Sequence, residues 1–250
     1  MSEDELAGAT ALITGASRGF GRGIATALRR AGAQVVGVAR DRAPLEELRA
    51  ELGESFTAVS ADAADPTVAG QLIDAYRPRI LVLNAGATPL MRPLQQHTWE
   101  TFSVNWHTDV RIAFHWLREA LLQPLPPGSR VVVISSGAAL AGSPLSGGYA
   151  GAKATQRFLT AYAQDEANRA GLDITFTALL PRIAPLTGVG RPAVRAYAAR
   201  GGQSEEEYLQ QLGGPLTPEQ AGQAVVELVT GDAHDQDAYL LTAAGLRPLT

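Results

Sequence analysis

TGASRGFG at residues 14–21 follows directly on the apolar run TALIT at residues 10–14, and an amphipathic helical pattern comes next. In such a strand–turn–helix unit, Gly15 permits the tight turn, Gly19 lets the backbone approach a pyrophosphate, and Gly21 allows close packing of the helix on the sheet. The N–H groups at the start of the helix and the helix dipole then favour an anion. The stretch therefore predicts a parallel α/β fold whose first turn binds the phosphates of a dinucleotide.

Short apolar runs alternate with amphipathic stretches along the rest of the chain. The runs are rich in β-branched residues and mostly lack polar alternation, which is typical of strands buried on both faces of a parallel sheet. Repeated strand–helix alternation predicts an α/β protein with a doubly wound parallel sheet and helices on both faces. Predicted strands cover residues 10–14, 34–39, 56–60, 80–83, 130–135 and 174–180, and predicted helices cover 21–31, 44–52, 66–76, 98–122, 149–169 and 218–229.

The chain shows no composition break that resembles a linker. We therefore predict a single domain over residues 1–250, with a cofactor half at about 1–135 and a catalytic and substrate half at about 136–250. The segment 182–214 is less regular, with several Gly, Pro and Arg residues and a weak helical pattern near 193–200. Because long irregular segments in compact domains are often lids, we expect a lid near residues 184–212.

The composition excludes several classes of function. Apolar residues make up 46% of the chain, which excludes a disordered protein. The formal net charge is −4 and no run of Lys or Arg forms a basic patch, so neither a nucleic acid nor a membrane surface is expected as a partner. The absence of cysteine excludes disulfides, thiolate metal sites and cysteine nucleophiles. An acidic N-terminus, with no apolar stretch of roughly 18–20 residues, predicts a cytoplasmic protein with a small-molecule substrate.

Two arginines bear on which dinucleotide is bound. A site that prefers NAD usually has Asp or Glu at the end of the second strand, whereas Arg accommodates the 2′-phosphate of NADP. Here the second strand ends at Arg40, and Arg18 lies in the phosphate turn. Asp41, one residue further on, is the competing signal, although an acidic residue is also favourable at the start of the following helix. The two guanidinium groups predict that NADP(H) is preferred over NAD(H).

Tyr149 and Lys153 stand four residues apart in YAGAK, at the start of a predicted helix. Positions i and i+4 lie on one helix face, so the phenol and the ammonium can point into one cleft. A nearby cation favours the ionised form of a phenol, which can then act as a general acid or base near neutral pH. A surface tyrosine beside a solvated lysine would show the same spacing, so the surrounding motifs decide between the two interpretations.

Four further motifs accompany YAGAK in order: TGASRGFG, NAG at 84–86, VN at 104–105 and SS at 135–136. Together they resemble those of the short-chain dehydrogenase/reductase family, over essentially the whole chain. The resemblance implies a Rossmann-like domain with a catalytic tetrad formed by Asn105, Ser136, Tyr149 and Lys153. It also implies an NADP(H)-dependent oxidoreductase that interconverts a ketone or aldehyde and an alcohol by hydride transfer.

The resemblance assigns a role to each member of this tetrad. Tyr149 would protonate the developing alkoxide during reduction, or remove the alcohol proton during oxidation. Lys153 would hold the nicotinamide ribose hydroxyls and favour the phenolate. Ser136 would hydrogen-bond the substrate oxygen, and Asn105 would position a water through its backbone carbonyl. Ser135 is expected to make structural contacts.

The residues that would bind the dinucleotide are also carried over from the family motifs. Asp62 would contact the adenine, and the NAG motif would flank the cofactor. The full set implied by the resemblance is Gly15, Ser17, Arg18, Gly19, Phe20, Gly21, Arg40, Asp62, Ala63, Asn84, Ala85, Gly86, Tyr149, Lys153, Pro181, Ile183 and Thr187.

One motif departs from the family pattern. After the sixth strand the family usually has Pro-Gly, whereas here Pro181 is followed by Arg182. Arg182 is interpreted either as a solvated side chain at the base of the lid or as a group that faces an acidic substrate. Thr187 falls near the place where the family often has a threonine that contacts the nicotinamide amide.

Family members commonly pair the helices that correspond to 98–122 and 149–169 across two-fold axes. The resemblance therefore implies a homotetramer or a homodimer, with the tetramer favoured. The tryptophans are expected to pack in the interior or at subunit interfaces, and the histidines form no compact ligand set, so no metal site is predicted. These residues are Trp99, Trp106, Trp116, His97, His107, His115 and His234.

The expected substrate is a small to medium, mostly apolar carbonyl or alcohol compound, because the residues expected around it carry few charges. Two alternatives stay open at this point. The same fold could reduce a C=N bond or another acceptor, or the chain could be a non-catalytic dinucleotide-binding regulator. The expected pocket residues are Leu90, Met91, Ala138, Ala139, Leu140, Leu145, Leu186, Val189, Val194 and Tyr197.

Overall fold

The computed structural model describes residues 6–212, 214–231 and 236–249. Eight strands form one sheet: β1 Thr10–Thr14, β2 Gln34–Ala39, β3 Phe56–Ser60, β4 Ile80–Leu83, β5 Ser129–Ile134, β6 Ile174–Pro181, β7 Ala238–Thr242 and β8 Gly245–Pro248. Their order across the sheet is β3-β2-β1-β4-β5-β6-β7-β8. All neighbouring pairs are parallel except β7 and β8, which are antiparallel.

The helices alternate with the strands along the chain. They are α1 Gly19–Arg30, α2 Arg42–Leu52, α3 Pro66–Tyr76, α4 Trp99–Phe102, α5 Arg111–Leu122, α6 Ala138–Ala141, α7 Tyr149–Arg169, α8 Gly190–Gly201, α9 Glu205–Gln211 and α10 Pro218–Thr230. A 3₁₀ turn at Leu94–Gln96 and a π-helical turn at Trp106–Val110 lie on either side of α4.

Helices cover both faces of the sheet, and the alternation of side chains along the strands explains why. Successive residues of a strand point to opposite faces. Ile13 belongs to the core cluster that contains residues of α1, α2 and α10, whereas Leu12 belongs to the cluster that contains residues of α3, α5 and α7. All four residues of β4 are buried. The predicted doubly wound, Rossmann-like α/β fold is therefore confirmed.

The order of the strands creates a crevice at the carboxyl ends of the central strands. β1 lies between β2 and β4, so the chain reverses its direction of winding between these two neighbours. Ligands of open α/β sheets bind at such a switch point, outside the carboxyl ends of the strands. Thr14 is opposite Leu83 in the register of β1 and β4. The two segments that leave the sheet after these strands, at Gly15 and at Asn84, therefore lie side by side.

The prediction of a continuous helix over 98–122 is wrong. α4 begins after a capping box at Thr98 and ends at Phe102, and the π-helical turn precedes α5. The break lies at Ser103, and the chain is helical from Val104 through the π-helical turn into α5, so Asn105 lies at the start of this helical run, as predicted. A π-helical turn inserts a residue while the chain stays helical, so the amphipathic pattern continues across the break and conceals it.

Smaller differences concern the ends of elements. β5 ends at Ile134, so Ser135 and Ser136 lie in the turn after the strand rather than in it. α1 begins at Gly19, two residues before its predicted start. The weak helix predicted at 193–200 is the longer α8, and α6 and α9 had no predicted counterpart.

No helix among the described residues has both the length and the apolar character needed to cross a membrane.

Candidate active site

A cavity of about 1300 Å³ opens at the carboxyl edge of the sheet. The turns after β1 to β6 form its floor, and residues of α7, α8 and α9 form its walls. Every residue predicted to bind the dinucleotide except Gly21 lines this cavity, as do Ser136, Tyr149 and Lys153. The fold thus gathers residues from Gly15 to Thr187 into one cleft.

The glycine turn after β1 is built from close backbone contacts. Gly15 has a φ of 70°, in the left-handed region that favours glycine, and a Cβ there would lie 2.9 Å from Ala85 Cα. A Cβ on Gly21 would lie 2.0 Å from the Gly15 carbonyl oxygen, which explains why Gly21 is needed although it does not line the cavity. Asn84 fastens the turn, since its Nδ2 donates to the carbonyl oxygens of Thr14 (3.2 Å) and Gly15 (3.1 Å).

This turn fits the phosphates of a dinucleotide. The residue before α1, Arg18, makes no side-chain cap, so no side chain occupies the N–H groups of the first helical turn. At Gly19, with φ 54°, Thr187 is the only described residue near the position of a Cβ, and its methyl group lies 3.7 Å away. Unpaired N–H groups and the helix dipole at the edge of an open cavity are the features that bind anions.

Arg18, in the turn after β1, and Arg40, at the end of β2, are both exposed and both line the cavity. Asp41 also lines the cavity, and its carboxylate accepts a hydrogen bond from the Ala43 N–H at 3.3 Å as the N-cap of α2. Asp62 is occupied in a similar way, because its Oδ1 accepts from the Ala64 N–H at 3.0 Å. Asp41 and Asp62 therefore both stabilise local turns.

Tyr149 and Lys153 lie on the first turns of α7 and face the same cleft. The Lys153 Nζ is 5.6 Å from the centroid of the Tyr149 ring. The lysine is buried and donates to the Ile134 carbonyl oxygen (3.2 Å) and to Gln156 Oε1 (2.9 Å), and its Nζ lies 3.1 Å from Asp109 Oδ2. Burial lowers the pKa of Lys153, but the negative charges of Asp109 and Tyr149 outweigh it, so the pKa of this ammonium is raised above its ordinary value.

The two serines after β5 have different surroundings. Ser135 is buried, and its Oγ donates to the Lys153 carbonyl oxygen at 2.8 Å, which ties β5 to α7. Ser136 lines the cavity, and its Oγ accepts from the Ala138 N–H at 3.2 Å. The Ser136 hydroxyl proton is thus available to a ligand in the cavity.

Asn105 is buried and does not line the cavity. Its Nδ2 donates to the Ala87 carbonyl oxygen at 2.7 Å and to Asp109 Oδ1 at 3.3 Å. Its Oδ1 has no hydrogen-bond donor among the described residues. The side chain therefore ties the helix break to the segment after β4, and the role expected of its backbone carbonyl stays a prediction.

The turn after β6 is hydrogen-bonded to neighbouring segments, although Arg182 stands where the family usually has glycine. The Pro181 carbonyl accepts from the Gly137 N–H at 2.8 Å, and the Arg182 N–H donates to the Leu241 carbonyl at 2.9 Å. The Arg182 side chain is exposed and lines the cavity, so neither of its two interpretations is excluded. Thr187 directs its hydroxyl back to the Ala184 carbonyl at 2.8 Å, where it braces the start of α8.

About half of the expected pocket residues line the cavity. Those that do are Met91, Ala138, Leu140, Val189 and Tyr197, and those that do not are Leu90, Ala139, Leu145, Leu186 and Val194. The segment expected to form a lid, residues 184–212, contains α8 and α9 beside the cavity. It is attached through the Tyr197 hydroxyl, which lies 2.7 Å from Ser143 Oγ and accepts from the Leu145 N–H at 3.2 Å.

Two residues of the site were missed by the sequence reasoning, Asp109 and Gln156. Both contact Lys153 and both are buried. The signal was present in the helical periodicity, because each polar residue falls on a buried face, Asp109 in line with Ile112 and Trp116. A second signal was missed in the composition: Lys153 is the only lysine in the chain, and every other basic side chain is an arginine.

The three tryptophans differ in their exposure. Trp116 is buried, and its Nε1 donates to the Ala63 carbonyl at 2.9 Å, whereas Trp99 and Trp106 are exposed. No group of three His, Cys, Asp or Glu side chains that could hold a metal occurs in the part of the chain that the structure describes. His234 lies outside that part.

The parallel sheet, its switch point and the glycine turn define the class of this protein as Rossmann-like α/β. Within that class the chain belongs to the short-chain dehydrogenase family, whose model matches residues 9–198.

Similarity to individual proteins agrees with this family. The chain is 38% identical over 106 residues to the L-xylulose reductase of Mesocricetus auratus, a match that covers 42% of this chain but only 43% of that protein. It is 34% identical over 187 residues to the hydroxynaphthalene reductase-like protein Arp2 of Metarhizium brunneum, which covers 70% of this chain and 68% of that protein. The fold matches the crystal structure of a 3-ketoacyl-(acyl-carrier-protein) reductase of Brucella melitensis complexed with NADH, with a TM-score of 0.78, 24% identity and coverage of 94% of this chain and 97% of that chain.

Proposed function

We propose that this protein is an NADP(H)-dependent oxidoreductase that interconverts a ketone or aldehyde and the corresponding alcohol. The observation that carries the proposal is the Tyr149 phenol beside the buried ammonium of Lys153, at 5.6 Å from Nζ to ring centroid, in the cavity that begins at the glycine turn. A cavity of about 1300 Å³ is large enough for a dinucleotide and a small substrate together.

The side chains around Tyr149 suit proton transfer to a carbonyl oxygen. Tyr149 donates its proton to the alkoxide that develops during reduction and takes it back during oxidation. The Lys153 ammonium favours the phenolate that remains. Ser136 donates a hydrogen bond to the same substrate oxygen and so stabilises its developing charge. A bound nicotinamide dinucleotide supplies or accepts the hydride.

The preference for NADP(H) rests on the charges at the cavity rim. Arg18 and Arg40 are exposed there, while the Asp41 carboxylate is engaged by the Ala43 N–H. Guanidinium groups match a phosphate in charge and in the geometry of their donors, whereas a free carboxylate would favour a ribose hydroxyl. The rim therefore suits the 2′-phosphate of NADP.

The names of the relatives support a carbonyl substrate, since L-xylulose reductase and hydroxynaphthalene reductase-like protein are both named as reductases. The lining residues Met91, Leu140 and Val189 favour a small to medium, mostly apolar compound. A homotetramer or homodimer in the cytoplasm belongs to the same proposal. Exposed aromatic side chains on α5 and α7, the helices expected at the interfaces, support the assembly.

Replacing Tyr149 by Phe tests the function. We expect carbonyl reduction with NADPH to fall by roughly 10²–10⁴-fold, because the proton donor is lost while the ring is kept. Binding of NADPH, followed by its fluorescence, should change little. The matched control is Tyr162→Phe, since Tyr162 is exposed on the same helix and should give unaltered turnover. Undiminished turnover in Tyr149→Phe would refute the catalytic assignment.

A further inference from the structure

Asp109 is a buried carboxylate that the roles given above do not use. Only 1% of its side chain is exposed, and it lies on the π-helical turn that precedes α5. Its Oδ1 accepts from the Ala87 N–H at 2.8 Å and from Asn105 Nδ2 at 3.3 Å, and its Oδ2 lies 3.1 Å from the Lys153 Nζ. A Cβ on Gly86 would come within 2.8 Å of Oδ2, so the glycine makes room for this carboxylate.

The contact with Lys153 is a buried ion pair, with 3.1 Å between Nζ and Oδ2. Oδ2 has no donor in hydrogen-bond geometry among the described residues, whereas Ile134 and Gln156 accept directed hydrogen bonds from the same Nζ. An ammonium has three N–H donors. A charge attraction does not depend on direction, so the ammonium can turn an N–H towards a ligand in the cavity without losing its counter-ion.

A purely structural role explains this pair poorly. Apolar side chains of similar volume often replace a buried ion pair without loss of stability, so the pair is weak evidence of a stabilising device. Its position points to the reaction instead, because the partner of Asp109 is the lysine beside Tyr149. π-helical turns are also frequent at functional sites.

We propose that Asp109 is a positioning residue that acts through Lys153. Its carboxylate keeps the Lys153 ammonium charged next to Tyr149 and offsets part of the effect by which this ammonium favours the phenolate form of Tyr149. This inference rests on the proposed function. The charged and titratable groups that face Lys153 are Asp109 from the π-helical turn and Tyr149 from its own helix, and His107 and Arg111 line the same cavity. Removing the negative charge leaves an unbalanced cation, so the first proton of the Tyr149–Lys153 pair is released at a lower pH.

Because the chain contains a single lysine, ¹³Cε-lysine labelling gives one resonance that reports Lys153 directly. The titration is done in the Tyr149→Phe protein, where no phenol competes for the proton, and without cofactor or substrate. We expect Lys153 to remain an ammonium at least up to its ordinary value of about 10.4, because the Asp109 carboxylate compensates for its burial. Adding Asp109→Asn should move its titration down by about one pH unit or more, a tenfold or larger change in acid dissociation.

The control is Gln156→Met in the same background, which removes a neutral acceptor but keeps the carboxylate. It should shift the titration less than Asp109→Asn does. Equal shifts in the two variants, or no shift in Asp109→Asn, would overturn the proposal. If Asp109→Asn does not fold, the Tyr149→Phe protein alone decides, because titration of its lysine well below the ordinary value, as burial without a compensating charge would give, contradicts a counter-ion.

Activity gives the second measurement. In the otherwise unmodified protein, Asp109→Asn should move the alkaline limb of kcat for carbonyl reduction to lower pH, and Asp109→Glu should keep the limb closer to its original place. If Asp109→Asn shifts the lysine titration but does not move the alkaline limb of kcat, the pair is structural and the positioning role is overturned. If the unmodified protein reduces no carbonyl, the proposed function fails, and the positioning role fails with it whatever the titration shows.

Discussion

Arg40 is the residue on which the choice of cofactor can be tested most simply. Arg40→Ala should raise the KM for NADPH about tenfold and leave the KM for NADH within about twofold, since an exposed guanidinium–phosphate contact is partly screened by solvent. Steady-state kinetics with both cofactors measures this. Arg42→Ala is the matched control, because Arg42 is exposed two residues further on and its Nε is paired with Glu46 at 3.2 Å. An equal loss for both cofactors would contradict the assignment of Arg40 to the 2′-phosphate.

At the scale of single residues, the sequence predicted which side chains share the cleft wherever a motif carried them. Ser136, Tyr149, Lys153 and Arg40 all line the cavity. Asp109 belongs to no motif, and its approach to Lys153 depends on a contact between residues 44 positions apart. Such a pairing arises from the packing of α7 against the helix break, so local sequence cannot specify it.

At the scale of elements, two helices approach closely through a pair of glycines. A Cβ on Gly23 of α1 would lie 2.2 Å from the Pro218 carbonyl oxygen of α10, and one on Gly222 of α10 would lie 2.5 Å from the Gly23 carbonyl oxygen. Neither glycine can gain a side chain without moving the backbone of the other helix. This contact holds α1 against α10.

Gly23→Ala should therefore lower the free energy of unfolding by about 1–3 kcal/mol through overpacking. The control is Gly70→Ala in α3, where the nearest atoms to a Cβ are the ends of the Gln123 and Glu119 side chains at 3.3 Å. That substitution should be neutral, or stabilising by up to about 1 kcal/mol, because alanine is the better helix former. Urea unfolding measures both. Equal stability of Gly23→Ala and the unmodified protein would contradict the close approach.

The strands were easier to predict than the helix ends. Strands buried on both faces leave uninterrupted apolar runs, and β1 to β4 have the bounds that these runs predicted. The break between α4 and α5 was not predictable in the same way. Its polar residues, Asn105 and Asp109, hydrogen-bond to Ala87 in a distant segment, and the amphipathic pattern on either side shows no gap.

At the scale of the whole molecule, the exposed apolar surface bears on assembly. Phe114 and Leu122 of α5 and Phe158 and Tyr162 of α7 are each at least half exposed, and α5 packs beside α7. We expect a homotetramer of this 26.2 kDa chain, in which these faces are covered by other copies. Phe158→Asp should shift the assembly towards dimers or monomers in sedimentation equilibrium, and Arg169→Ala, at the exposed end of α7, should not. A monomeric unmodified protein would contradict the expected assembly.

The prediction of a single domain over residues 1–250 also belongs to this scale. One sheet that contains strands from both the cofactor half and the catalytic half supports it. Limited proteolysis that released a stable half would contradict it.

The most direct test of the account is a crystal structure of the protein grown with NADP⁺. We predict that the diphosphate lies on the N-terminus of α1 and that the extra phosphate lies by Arg18 and Arg40. The reactive face of the nicotinamide should leave room for a substrate carbon within roughly 3–3.5 Å, with the oxygen of that substrate in reach of the Tyr149 hydroxyl. A dinucleotide bound elsewhere, or a nicotinamide directed away from Tyr149 and Lys153, would contradict the account.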